Sequence, residues 1–271
     1  MLAEVLRELR ASYAFVERNF LLVKRYLSWE IVFLVYSVVN TLTIGLIGVG
    51  VPGIEASAEM VLYLVSGALL WGFLSVIFSE VGHSVAWERW EGTIEYTFMA
   101  PVRRLTHLGG TCLFAVLYGM LRTGLVLLAA ALFFDVDLAG ANVWGALGIL
   151  AASSLSFIGL GLMAAVLPLL SPEKGAQATN IFQAALLLVS GVYYDVAALA
   201  SWLQPLAVLS PATYTLRGAR AALLQGAPGE ELLPTAVLLL LLGLVLIPLG
   251  LVVFQAGERH AMRRGKLKRS G

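Results

Sequence analysis

Apolar residues in this chain come in long blocks, and most polar residues are confined to the stretches between them. Six blocks stand out: residues 29–51, 60–81, 108–134 and 143–170, a shorter one at 178–194, and 233–254. A run of about 20 apolar residues is long enough to cross the hydrocarbon core of a bilayer as a helix. The pattern therefore predicts six membrane spans. Ahead of the first block the spacing changes. Leu2, Val5, Leu6, Leu9, Tyr13, Val16, Phe20, Val23 and Leu27 recur at intervals of three and four beside Glu4, Arg7, Glu8, Arg18 and Lys24. That is an amphipathic helix over residues 1–27, lying along the membrane interface or on a soluble partner. Between the last two blocks, residues 195–232 are too apolar for an exposed loop and too broken by Pro205, Pro211 and Pro228 for a span. Irregular backbone at membrane depth must be covered by protein or line a wet cavity. Short re-entrant helices are predicted there, forming a lid or plug.

Composition agrees with this reading. Of 271 residues 59% are hydrophobic and 13% charged, about half the charge of a soluble domain. No internal repeat divides the chain, so the predicted fold is one all-α polytopic membrane domain over residues 1–271. Basic residues gather on one side of the predicted spans. Arg7, Arg10, Arg18, Lys24 and Arg25 precede the first, Arg89, Arg103 and Arg104 follow the second, and Lys174 follows the fourth. The tail adds Arg259, Arg263, Arg264, Lys266, Lys268 and Arg269. The opposite loops carry Glu55, Glu59, Asp135, Asp137, Asp195, Glu230 and Glu231 against only Arg217 and Arg220. Cytoplasmic loops are the basic ones, which places both termini in the cytoplasm. No cleavable signal is expected, because the first 27 residues are charged throughout. Cys112 is the only cysteine, which excludes an intrachain disulfide and a cysteine-based metal site.

One charged segment interrupts the apolar pattern: WERWEGTIEYTFMAPVRR, residues 87–104. Read as a helix over 87–98, it puts Trp87, Trp90, Ile94 and Phe98 on one stripe and Glu88, Glu91 and Glu95 on another. Tryptophan favours the headgroup level, so the predicted helix lies on the cytoplasmic surface with its acids outward. Gly92 leaves a gap in the side-chain cover where another backbone can approach. The pattern alone fits a plain anchoring helix as well as a docking element.

The same segment resembles the stretch after the second span of ABC-2 type transporter permeases. Arg89, Glu91, Gly92, Thr93, Ile94, Glu95 and Pro101 carry the likeness, with Ala100 in place of the usual threonine. A second stretch is similar through Ser190, Gly191, Tyr193, Trp202, Leu203, Pro211, Tyr214 and Arg220, although Asp195 and Ala200 stand where that family often has proline. The resemblance implies that 87–98 is a coupling helix seated in a cleft of a separate ABC ATPase, with Glu88, Arg89, Glu91, Gly92, Thr93 and Glu95 as docking residues. It also implies two ATPase copies and a second permease subunit, identical or a close paralogue, in the plasma membrane. ATP and Mg would belong to the partner. This chain has no GxxxxGK[ST] loop, so it has no such cradle for phosphate and is not expected to be an enzyme. No cofactor, metal or nucleic acid is expected to bind it.

Arg122 lies about fourteen residues, roughly 21 Å, into the third predicted span. A charge there costs about 2.5–3.5 kcal/mol on insertion scales, so it should face the bundle interior or a wet cavity. It is a contact for an anionic or amphiphilic substrate, a bond across a dimer seam, or a structural arginine that snorkels or bonds to carbonyls. No acid is expected at matching depth, since Glu30 and Glu80 fall at the span edges. Tyr193 and Tyr194, at the end of the fifth block, are gate candidates or part of an aromatic belt. The Gly, Ala and Ser of residues 145–165 predict a close helix-packing face. An embedded enzyme is disfavoured because His83, His107 and His260 lack ligand spacing with one another or with Cys112, and Asp135 and Asp137 stand without other acids. The functional expectation is an exporter permease for a lipid-like or drug-like substrate. A glycan exporter is the alternative, and a channel or scaffold without ATP coupling is the rival of another class.

Overall fold

Each apolar block folds as helix in the computed structural model, which describes residues 2–91, 104–135 and 140–263. In order these are α1 (Leu2–Arg25), α2 (Leu27–Val49), α3 (Ile54–Glu91), α4 (Arg104–Phe134), α5 (Val143–Ala164), α6 (Val166–Leu170) and α7 (Pro172–Val189). A 3-10 turn (Val196–Ala198) then leads to α8 (Gln204–Leu209), α9 (Pro211–Gln225) and α10 (Gly229–Arg263). There is no strand among the described residues. Among the described residues five segments are long and apolar enough to cross a membrane: Leu27–Val49, Ser57–Val81, Thr106–Phe134, Val143–Leu170 and Gly229–Arg263. Gln177–Val189 is a shorter apolar helix in the position of the fifth predicted span. The helix that contains it, α7, opens on a proline and ends just before Gly191, whose φ is 69°.

Helix α3 is the hub of the molecule. Leu70, Phe73, Leu74, Ile77 and Phe78 recur with helical spacing and are all at most 1% exposed. Around them α5, α9 and α10 contribute Ile149, Phe157, Leu216 and Leu239 to one core. On the other flank Val61, Val65 and Leu69 of α3 meet Val126 and Ala130 of α4 and the partly buried Leu34, Val38 and Leu42 of α2. The predicted small-residue face of α5 packs on α10. A Cβ at Gly250 would lie 2.5 Å from the Gly159 carbonyl, and one at Gly159 would lie 2.5 Å from the Leu246 backbone. The two backbones are in contact, with Ser156 Oγ donating across the seam to Leu239 O at 3.0 Å.

The amphipathic α1 does not rest on apolar surface alone. It docks on the start of α4: Ser12 Oγ donates to Thr106 O at 2.9 Å, and Thr106 Oγ1 donates to Glu8. Phe15 packs edge-on to His107 and Phe20 to Phe114, with ring centres 4.6 and 5.1 Å apart. Of the predicted apolar stripe, Val16 is buried in this contact while Tyr13 and Leu27 stay exposed. The segment between the last two long helices is built of short helices, as its prolines predict: Pro205 opens α8 and Pro211 opens α9. At its far end Asn142 ties α9 to α5. Its side chain accepts from Gly145 N at 2.8 Å to cap α5 and donates to Ala227 O at 2.7 Å.

Candidate functional site

Between α2, α3 and α4 lies a cavity of about 400 Å³ with a polar wall in an otherwise apolar layer. Helical spacing explains how three greasy helices each give it polar groups. Glu30, Phe33, Ser37 and Thr41 line one face of α2, Leu69, Gly72, Ser75, Val76, Ser79 and Glu80 one face of α3, and Tyr118, Arg122 and Val126 one face of α4. Arg122 donates from one guanidinium nitrogen to Ser37 Oγ at 2.6 Å and to Phe33 O at 2.9 Å. Tyr118 donates its hydroxyl to the Glu30 carboxylate. Glu80 is near enough to Glu30 and Arg122 to interact electrostatically with both, yet it accepts no hydrogen bond among the described residues. Ser75 Oγ is likewise buried without a partner among them.

Glu30 and Glu80 do stand near the ends of their apolar spans, Leu27–Val49 and Ser57–Val81, as expected. Both nevertheless line the same cavity as Arg122, which the sequence alone leaves apart from them. Past Glu80 α3 runs on to Glu91. The helix predicted over 87–98 therefore has no separate start: its first residues continue α3 without a break. Glu88, Arg89 and Glu91 stand on the final turns of α3, whereas Gly92, Thr93 and Glu95 lie outside the described residues.

Tyr193 and Tyr194 do not join Arg122. Tyr193 packs against the core around α3, and Tyr194 donates its hydroxyl to Leu188 O at the end of α7. Burial pushes both hydroxyls above the ordinary tyrosine range. Close by, Arg220 of α9 makes a pin that hydropathy and spacing alone assign no role. Its guanidinium donates to Tyr63 O at 3.1 Å, to Gly191 O and Ser66 Oγ at 3.3 Å each, and to Val192 O. It also sits 3.7 Å above the Tyr63 ring. One side chain thus fastens α9, the turn after α7 and the face of α3 together. Gly67 makes room for it, since a Cβ there would lie 2.2 Å from Val192 O and 2.6 Å from the guanidinium. The readable signal was an arginine inside an apolar stretch, where a charge needs partners.

No group of three or more His, Cys, Asp or Glu residues arranged to hold a metal occurs among the described residues. The arrangement suits binding: charged and hydroxyl groups from all three helices alternate with apolar side chains around the cavity. Residues 10–224, well over half the chain, match the family model for the ABC-2 type transporter. Comparison with curated proteins gives no match.

Proposed function

Because the chain belongs to the ABC-2 type transporter family and is the permease component of an ABC transporter, we propose that it exports a hydrophobic or amphiphilic substrate. The observation that carries this reading is the cavity beside Arg122, which offers charged groups for a headgroup and Phe33, Leu69, Val76 and Val126 for an apolar body. Those apolar walls favour a lipid-like or drug-like cargo over a glycan. Energy comes from a separate ATPase that binds ATP and Mg and docks at residues 87–98 of two permease subunits, identical or closely related. Its closure moves that segment as a rigid body and tilts the attached helices between two states. The protein works in the plasma membrane with both termini in the cytoplasm, and α8 and α9 form the outer lid.

The test is capture of an ATPase by the purified chain on co-expression with a neighbouring open reading frame that encodes one. The second measurement is substrate-stimulated ATP hydrolysis by the reconstituted complex, over a panel of lipids, hydrophobic drugs and glycans. Stimulation by lipids or drugs is expected. Failure to capture any such ATPase, or stimulation by glycans alone, overturns the proposal.

A further inference from the structure

The charges in the cavity do not balance. Glu30 and Glu80 face it together with one cation among the described residues, Arg122. Arg122 is already turned onto α2 through Ser37 and the Phe33 carbonyl, and Glu30 is engaged by Tyr118. What remains open is acceptor capacity: the Glu80 carboxylate, which no described donor reaches. Excess negative charge away from water is costly unless it is paired. A ligand bringing one positive charge and N–H donors would pair the surplus carboxylate, whereas an anion would add to the imbalance.

We propose that this cavity binds organic ammonium ions bearing an apolar tail, with Glu80 as the counter-charge. The apolar side chains along the same face of α3, Leu69 and Val76, receive the tail. Gly72 keeps the space open, since a Cβ there would meet nothing within 4 Å. The inference rests on the permease reading only for the transport steps after binding, so the binding itself can be tested without an ATPase.

The test is equilibrium binding of isotopically labelled octylammonium to the full chain in phosphatidylcholine nanodiscs, with empty discs as the blank. Saturable binding is expected, displaced by unlabelled octylammonium but not by octanol or octanoate, which carry the same tail without the positive charge. Glu80→Gln should weaken binding roughly 10-fold or more, the scale of one lost charge-assisted contact. Gly72→Leu should block it by filling the cavity, with helix content and unfolding temperature preserved. Absence of saturable binding, unchanged affinity in both variants, or displacement by octanoate as effective as by octylammonium would overturn the proposal. ATPase capture by the same preparation separates the two readings: capture without ammonium binding sinks only this inference, and binding without capture sinks only the transporter reading.

Discussion

Replacing Arg220 with methionine removes the pin while keeping most of the side-chain bulk. Ser66 and Tyr63 retain each other, because Ser66 Oγ already donates to Tyr63 O at 2.9 Å. The carbonyls of Gly191 and Val192 are less fortunate, since the guanidinium donates to both. An acceptor left buried without a donor costs about 1–3 kcal/mol, and the lost stacking on Tyr63 about 1–2 kcal/mol more. Against this, methionine escapes the cost of burying a charge, which is of order several kcal/mol. The balance is a destabilisation of about 3 kcal/mol, or roughly 6–12 °C in unfolding temperature for a chain of this size. Thermal unfolding in phosphatidylcholine nanodiscs reads the first effect. Hydrogen exchange reads the second, with amides of residues 190–199 and 211–225 exchanging faster while those of α5 and α10 do not. Arg220→Lys should fall between, because an ammonium lacks the planar fork that reaches α3 and the turn together. An unfolding temperature within about 2 °C of the parent, on a scale of roughly 2–4 °C per kcal/mol, with unchanged exchange would show that Arg220 fastens nothing.

The α5–α10 seam makes a second prediction: Gly250→Val should destabilise by about 2 kcal/mol, within the usual cost of overpacking, because its Cβ meets the Gly159 carbonyl at 2.5 Å. Chemical unfolding would check it, and an unaffected midpoint would mean the helices can part freely there. Asn142→Ala loses a helix cap and the donor to Ala227 O together, an expected loss of about 2 kcal/mol. Faster exchange at the start of α5 should accompany it, and no change there would count against the latch. Glu91→Lys should abolish ATPase coupling in the reconstituted complex while leaving the unfolding temperature unaltered. Parental transport by this variant would remove Glu91 from the docking surface.

The hydropathy pattern located every long helix because a span is a property of one stretch of chain. The same locality hid the cavity. Glu30, Glu80 and Arg122 stand far apart in sequence, and only the register among α2, α3 and α4 brings them together. Glu80 stands at the span edge as hydropathy predicts, but the helix continues to Glu91, since leaving the apolar layer does not end a helix. Arg220 was legible as a motif residue but not as a pin, because its partners are mostly backbone carbonyls that no side-chain pattern reports. The packing role of α5 was readable outright, its glycines and serines being the direct cause of the close approach. For α1 the periodicity gave the helix, while docking on α4 depended on Ser12 and Thr106, polar residues outside the apolar stripe.

The unbroken length of α3 has a mechanical consequence. Its most deeply buried stretch, around Ile77, is fourteen residues from Glu91 at its end and fourteen from Tyr63, the point that Arg220 grips. At 1.5 Å per residue each arm is about 21 Å. A rod gripped at its waist with equal arms behaves as a balanced rocker, neither amplifying nor damping travel. A shift of ~2 Å imposed at the Glu91 end returns as a shift of ~2 Å in the opposite sense beneath α9, a conversion set by arm lengths at a fixed rise per residue. The cavity wall from Leu69 to Glu80 straddles the fulcrum, where the rod turns but scarcely travels. A molecule held there would feel a change of angle, while the residues beneath Arg220 would feel the stroke.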